Sequence, residues 1–109
     1  MGGGQEYKVI FGSQCRSDLK EIVSVVRRAS GSPEIAERLG TKLLQRALTL
    51  STFPERGRIV PELGVPGVRE IIVKSYRLVY RISGNTVQVL RFWHGARGAL
   101  EIDIDDFSV

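Results

Sequence analysis

The chain has 109 residues, 42% of them hydrophobic and 26% charged, and its 16 Lys and Arg against 12 Asp and Glu leave a net charge of +4. That length gives one domain with a single core, and a lone cysteine, Cys15, excludes both an intramolecular disulfide and a cysteine-based metal cluster. No apolar run approaches the ~20 residues that span a bilayer, and the start Met1-Gly2-Gly3-Gly4-Gln5 lacks the charged and apolar regions of a secretory signal, so a cytoplasmic protein without metal or cofactor is expected.

Residues 1–5 read as a flexible lead-in. From Glu6 to Ser13, Tyr7, Val9 and Phe11 alternate with Lys8 and Ile10, the period of a first strand. Asp18 followed by Glu21 has the look of a capping pair near a helix start, after which Leu19, Ile22, Val23, Val25 and Val26 fall largely on one helical face. Arg27, Arg28 and Gly31 form a basic stop closed by glycine. Ser32-Pro33-Glu34 is a restart: a capping serine, proline at the first helical position and an acid in the first turn. Ile35, Leu39, Leu43, Ala47 and Leu50 then step along a second helix to about Leu50, closed by Phe53-Pro54. A short polar turn between them makes an antiparallel α-hairpin.

Residues 55–66 are irregular, with room for a brief strand at Arg58-Ile59-Val60. Arg69 to Ser75, Tyr76 to Ser83 and Thr86 to Trp93 read as three strands, the last two joined by Gly84-Asn85, residue types suited to a tight hairpin. The order predicts an α+β domain: an N-terminal strand, an α-hairpin, then a twisted antiparallel sheet of three to four strands. Alternation puts Leu78, Tyr80 and Ile82 on one face and Arg77, Val79 and Arg81 on the other. In the last strand it puts Leu90 and Phe92 with His94, and Val89 and Trp93 with Arg91. If the helices cover one side, the side bearing Arg77 and Arg81 is left as an open, concave basic surface suited to an acidic partner. Glu101, Asp103, Asp105 and Asp106 make residues 98–109 an acidic tail.

The series Phe53-Pro54-Glu55-Arg56-Gly57-Arg58, Pro61-Glu62-Leu63, Tyr76-Arg77-Leu78-Val79-Tyr80-Arg81 and His94-Gly95-Ala96-Arg97, set behind a helical hairpin, resembles the RelE/ParE superfamily over about Tyr7 to Arg97. These are toxins of type II toxin–antitoxin systems, often called plasmid stabilisation proteins. The resemblance implies a toxin domain over residues 6–97, a cognate antitoxin as partner in a hetero-oligomer, and one of two actions on a single fold. RelE-like members cut mRNA on the ribosome; ParE-like members poison DNA gyrase without cutting RNA. A third outcome is an inactive member that only binds its antitoxin.

Cleavage next to a ribose 2′-hydroxyl needs a base, an acid and cations fixed on the scissile phosphate. The resemblance implies Arg77 and Arg97 as the phosphate-contacting cations of an endoribonuclease. His94, the one histidine of the chain, is by residue type the natural acid or base. Arg69, Lys74, Arg81 and Arg91 are the cations available for RNA or another target.

Several residues have a structural alternative. Arg77 can pair with Glu62 or Glu70, His94 can anchor the turn into Gly95, Tyr76 or Tyr80 can be core, Arg27-Arg28 can be a solvated helix end, and Cys15 can be a buried spectator. Two departures favour the ParE-like action. The strand Arg69-Glu70-Ile71-Ile72-Val73 lacks the lysine pair of RelE-like enzymes, and the tail after Arg97 lacks their C-terminal tyrosine.

Overall fold

A computed structural model describes residues 6–102. Strand β1 (Lys8–Phe11) leads into helix α1 (Ser13–Ser30) and helix α2 (Pro33–Leu48), followed by the short strand β2 (Arg58–Ile59) and the meander β3 (Val68–Val73), β4 (Tyr76–Ser83) and β5 (Thr86–His94). The strands form one five-stranded sheet in the order β1-β5-β4-β3-β2. All neighbours are antiparallel except β1, which runs parallel to β5. The α+β fold is as expected, with one strand more and a mixed rather than purely antiparallel sheet. Among the described residues no helix is long and apolar enough to cross a membrane.

Helix α1 begins six residues earlier than its sequence signals suggest, its N-cap being Gly12 rather than Asp18. Gly12 ends β1 by donating its N–H to the Val89 carbonyl (2.9 Å) and serves as the N-cap in extended conformation, with no side-chain cap. Asp18 is therefore not part of a capping pair: it lies in the second turn and is buried. The second helix start is as expected. Ser32 accepts the Ile35 N–H (3.2 Å) and Pro33 opens α2, while Gly31 closes α1 at φ 68°, a left-handed conformation that glycine adopts without strain. The buried face of α2 is Ala36, Gly40, Leu43 and Ala47, so Ile35 lies outside it, 48% exposed.

The main core lies between the hairpin and the inner face of the sheet. Cys15, Ile22, Leu43, Ala47 and Leu50 meet Val73, Tyr76, Leu78, Tyr80, Val87, Val89 and Phe92, and each large apolar side chain buried there contributes roughly 1.5–3 kcal/mol. The simple alternation expected for β5 fails at a bulge. Val79 pairs with Arg91 but Tyr80 pairs with Val89, so Leu90 is an extra residue and the side-chain phase flips. Val89 and Phe92 thus share the inner face, while Leu90 turns outward.

The outer face is not the open basic surface that alternation implied. Val60, Val68, Val79 and Leu90 make a second buried cluster there, covered by Leu100 and Ile102. Three side chains hold that covering segment by its backbone. Trp93 Nε1 donates to the Gly98 carbonyl (3.1 Å), Arg91 donates to the Glu101 carbonyl (2.7 Å), and Glu62 accepts the Leu100 N–H (3.0 Å). The lead-in at residues 1–5 and the acidic positions Asp103, Asp105 and Asp106 lie outside the described residues.

Beside the main core, Tyr80 anchors the loop before β2. Its hydroxyl donates to the Pro54 carbonyl and accepts the Gly57 N–H. The approach is so close that a Cβ on Gly57 would sit 2.7 Å from the Glu70 carbonyl oxygen and against the Tyr80 hydroxyl. Tyr80→Phe would leave two buried backbone groups without partners, and is expected to cost about 1–3 kcal/mol of stability, read as a lowered urea midpoint. An unchanged midpoint would show that water satisfies both groups and that the hydroxyl is no anchor.

Candidate functional site

On the outer face, the cation expected to meet a phosphate is enclosed by acids. Arg77 Nε donates to Glu70 (2.6 Å), while its two terminal nitrogens make paired 2.7 Å bonds to Glu62. Glu70 also takes Arg58 Nε at 2.6 Å, and its side chain is completely buried. A carboxylate stripped of water needs such partners. Both structural pairings open to Arg77 are made at once. The effect is reciprocal: the bonds from Glu62 and Glu70 raise the Arg77 pKa, and the hydrogen bonds from Arg77 and the Leu100 N–H lower the Glu62 carboxyl to about 2.

The remaining sheet cations go to several tasks. Arg69 donates to the Glu55 (3.2 Å) and Gly57 (2.9 Å) carbonyls, clipping the loop before β2. Lys74 is exposed in the β3–β4 turn, with φ 55°. Arg81 is half-buried opposite Gln88. Arg91 makes a two-point bond to Asp18 of α1 (2.7 and 2.8 Å), and Asp18 also accepts the Phe92 N–H at 3.0 Å. Asp18 therefore holds the edge of β5 just past the point where β1 stops. No expected site residue signalled this contact, because a helical aspartate declares its partner only once the bulge has placed Arg91.

His94 and Arg97 do come together. With Asp18, Glu21, Ile22, Val25, Tyr76 and Phe92 they line a cleft of about 310 Å³ between α1 and the ends of β4 and β5. Arg97 lies over the Trp93 ring, 4.1 Å from its centroid, and Arg91 lies 4.9 Å from the same ring. His94 packs edge-on to Tyr76, with ring centroids 4.9 Å apart, and burial raises the Tyr76 phenol above its ordinary pKa. His94 Nδ1 accepts the Ala96 N–H (3.0 Å), capping the turn Gly95–Arg97. That bond places the proton of a neutral ring on Nε2, so Nδ1 cannot act as a base without undoing the cap. The cleft thus holds one imidazole and one guanidinium, with Glu21 and the paired Asp18 on its helical wall. No group of three or more metal-ligating side chains occurs among the described residues.

Residues 9–98 match the family model of the ParE toxin of the type II toxin–antitoxin system, parDE; the chain belongs to this family, within the RelE/ParE superfamily. It is 37% identical over 95 residues to Toxin RelE1 of Caulobacter vibrioides, covering 82% of this chain and 94% of that protein. With Toxin RelE2 of the same organism it shares 34% over 67 residues, 61% of this chain and 72% of the relative. Its fold matches the chromosomal ParDE toxin–antitoxin system of P. aeruginosa (TM-score 0.71, 22% identity, 84% of this chain and 98% of that one). It also matches the toxin–antitoxin complex RelBE2 of Mycobacterium tuberculosis (TM-score 0.57, 28% identity, 82% and 98%).

The Glu62 carboxyl sets a pH dependence. Its folded value of about 2 lies below its ordinary 4.5, so the stability it adds is fully present above the ordinary value and is lost as pH falls through the folded one. The melting-temperature gap between wild type and Glu62→Gln should be wide near neutrality and close as pH drops from about 4.5 toward 2. A gap that stays constant across that window would mean that ionisation of Glu62 adds nothing to stability.

Proposed function

We propose that this toxin is a ParE-like growth inhibitor that acts by binding DNA gyrase, is neutralised by a cognate antitoxin, and cuts no RNA. The observation that carries this reading is the enclosure of Arg77. A cation that stabilises charge on a scissile phosphate must offer donors to the oxygens on which charge develops. Here the Nε and both terminal nitrogens of Arg77 already face carboxylates, and its side chain is 13% exposed. An incoming phosphate would have to displace Glu62 and would still meet the charge of the buried Glu70. The missing lysine pair at Arg69–Val73 points the same way, since the one lysine beyond it, Lys74, is held out in a turn.

The RelE-like endoribonuclease reading keeps one supporting observation, the meeting of His94 and Arg97 in a single cleft. In that reading the Nε2–H of His94 is the acid and Arg97 the phosphate clamp. Glu21 on the opposite wall and the cap on Nδ1 weigh against it.

Two assays on the purified protein separate these readings. Inhibition of gyrase supercoiling without new 5′ ends in primer extension on translated mRNA is expected. Untouched supercoiling at excess toxin, with new mRNA ends that vanish in His94→Ala, would overturn the proposal in favour of the nuclease. Neither effect, together with normal growth on antitoxin-free expression, would leave an inactive member that only binds its antitoxin.

A further inference from the structure

The cleft beside His94 has the make-up of a small-molecule site. Its helical wall is a stripe of α1, with Glu21, Ile22 and Val25 at helical spacing on one side, and it faces Tyr76, Phe92, His94 and Arg97. At about 310 Å³ it lies at the low end of the roughly 300–1,000 Å³ of such sites, and like them it sets a few polar groups in an apolar and aromatic lining. Those polar groups are not used up by the fold. Among the described residues neither Glu21 nor Arg97 makes a hydrogen bond or ion pair, and both are exposed. Stacking on the Trp93 ring, 4.1 Å from its centroid, positions the Arg97 guanidinium without engaging its N–H donors in a hydrogen bond. Tyr76 is only 8% exposed, and its hydroxyl has no hydrogen-bond partner among the described residues; a phenol buried to that degree ordinarily has one. His94 keeps its Nε2–H as a donor once Nδ1 has taken the Ala96 N–H. Asp18, by contrast, is committed to Arg91 and the Phe92 N–H.

We infer that this cleft binds a free amino acid with a large apolar side chain, held as its zwitterion. The carboxylate meets Arg97, with the Nε2–H of His94 and the Tyr76 hydroxyl as further donors. The ammonium meets Glu21, and the side chain packs on Ile22, Val25 and Phe92. A phosphate ligand fits less well, because it brings up to two negative charges to a cleft that pairs one uncommitted guanidinium with one uncommitted carboxylate. A plain apolar acid would set its hydrocarbon against the Glu21 charge. The amino acid occupies His94 and Arg97, the two groups that the nuclease reading needs for RNA, so the two uses of the cleft exclude one another.

The test follows the ring signals of His94, the single histidine of the chain, by NMR in the full-length toxin. The probes are L-phenylalanine, its N-acetyl derivative, which lacks the ammonium, and its amide, which lacks the carboxylate. Wild type should bind L-phenylalanine saturably and each derivative more than about tenfold more weakly. Arg97→Gln should abolish the preference for the acid over the amide and leave the preference for the free amine intact. Glu21→Gln should do the reverse. Should either variant fail to fold by circular dichroism, the ranking of the probes on wild type decides. No shift at the solubility limit of L-phenylalanine, equal binding of all the probes, or preferences that neither substitution moves would overturn the site. So would tighter binding of uridine monophosphate than of L-phenylalanine, which would return the cleft to a phosphate ligand.

Discussion

The buried carboxylate of Glu70 is the constraint around which the outer half of this molecule is organised. It sits on β3, between the short edge strand β2 and the long strand β4, and its side chain has no access to water. A bare carboxylate there would be strongly destabilising. The fold answers from both neighbouring strands, with Arg58 on one oxygen and Arg77 on the other. Arg77 in turn calls in Glu62, and Glu62 holds the backbone of Leu100. One acid therefore ties together β2, β3, β4, the Pro61–Gly64 turn and the segment that covers Val79 and Leu90. Removing one partner of such a set costs about 3–5 kcal/mol, because the charge left behind stays buried.

A second ion pair does the same for the inner half. Strand β1 stops at Phe11 opposite Val89, and the β5 edge beyond it needs a partner for the Phe92 N–H. Asp18 supplies it from α1 and is itself neutralised by Arg91, which the bulge at Leu90 has turned to the outer side. The guanidinium reaches around the strand edge and also holds the Glu101 carbonyl. Helix, sheet edge and covering segment thus meet at one side chain, and the cleft that holds His94 opens beside this junction.

Much of this was legible in the residues and some of it was not. The strands of the meander, the capped restart at Ser32-Pro33 and the α+β class follow from local chemistry and period. The partners of Arg77 could be named, since Glu62 and Glu70 were the acids within reach, but that both would bind it depends on register. The start of α1 was misplaced because Gly12 caps through backbone geometry alone, leaving Asp18 as the more conspicuous false signal. The open basic face failed for a different reason. A bulge has no sequence signature in Val89-Leu90-Arg91, and Leu100 and Ile102 sit in a stretch whose acids suggested a solvated tail. The cleft itself was not read from the sequence: His94 and Arg97 are near neighbours in the chain, but Glu21 and Ile22 join them only through the packing of α1 on β5.

Read together, the cations that first suggest a phosphate-binding sheet are in large part committed within the molecule. Arg58 and Arg77 serve Glu70, Arg69 a loop, and Arg91 the sheet edge. In the proposed reading, the toxin acts through surfaces rather than through a charged reaction centre. The most direct test removes the network without leaving a buried charge: Arg77→Met, Glu70→Leu and Glu62→Gln in one chain, replacements that buried ion networks often tolerate. Growth arrest on antitoxin-free expression is then measured at matched soluble levels, beside a cooperative urea transition. Arrest as strong as wild type is predicted, because Arg77 serves the fold. A variant that folds cooperatively and no longer arrests growth would contradict the account, since Arg77 would then be acting on the target itself.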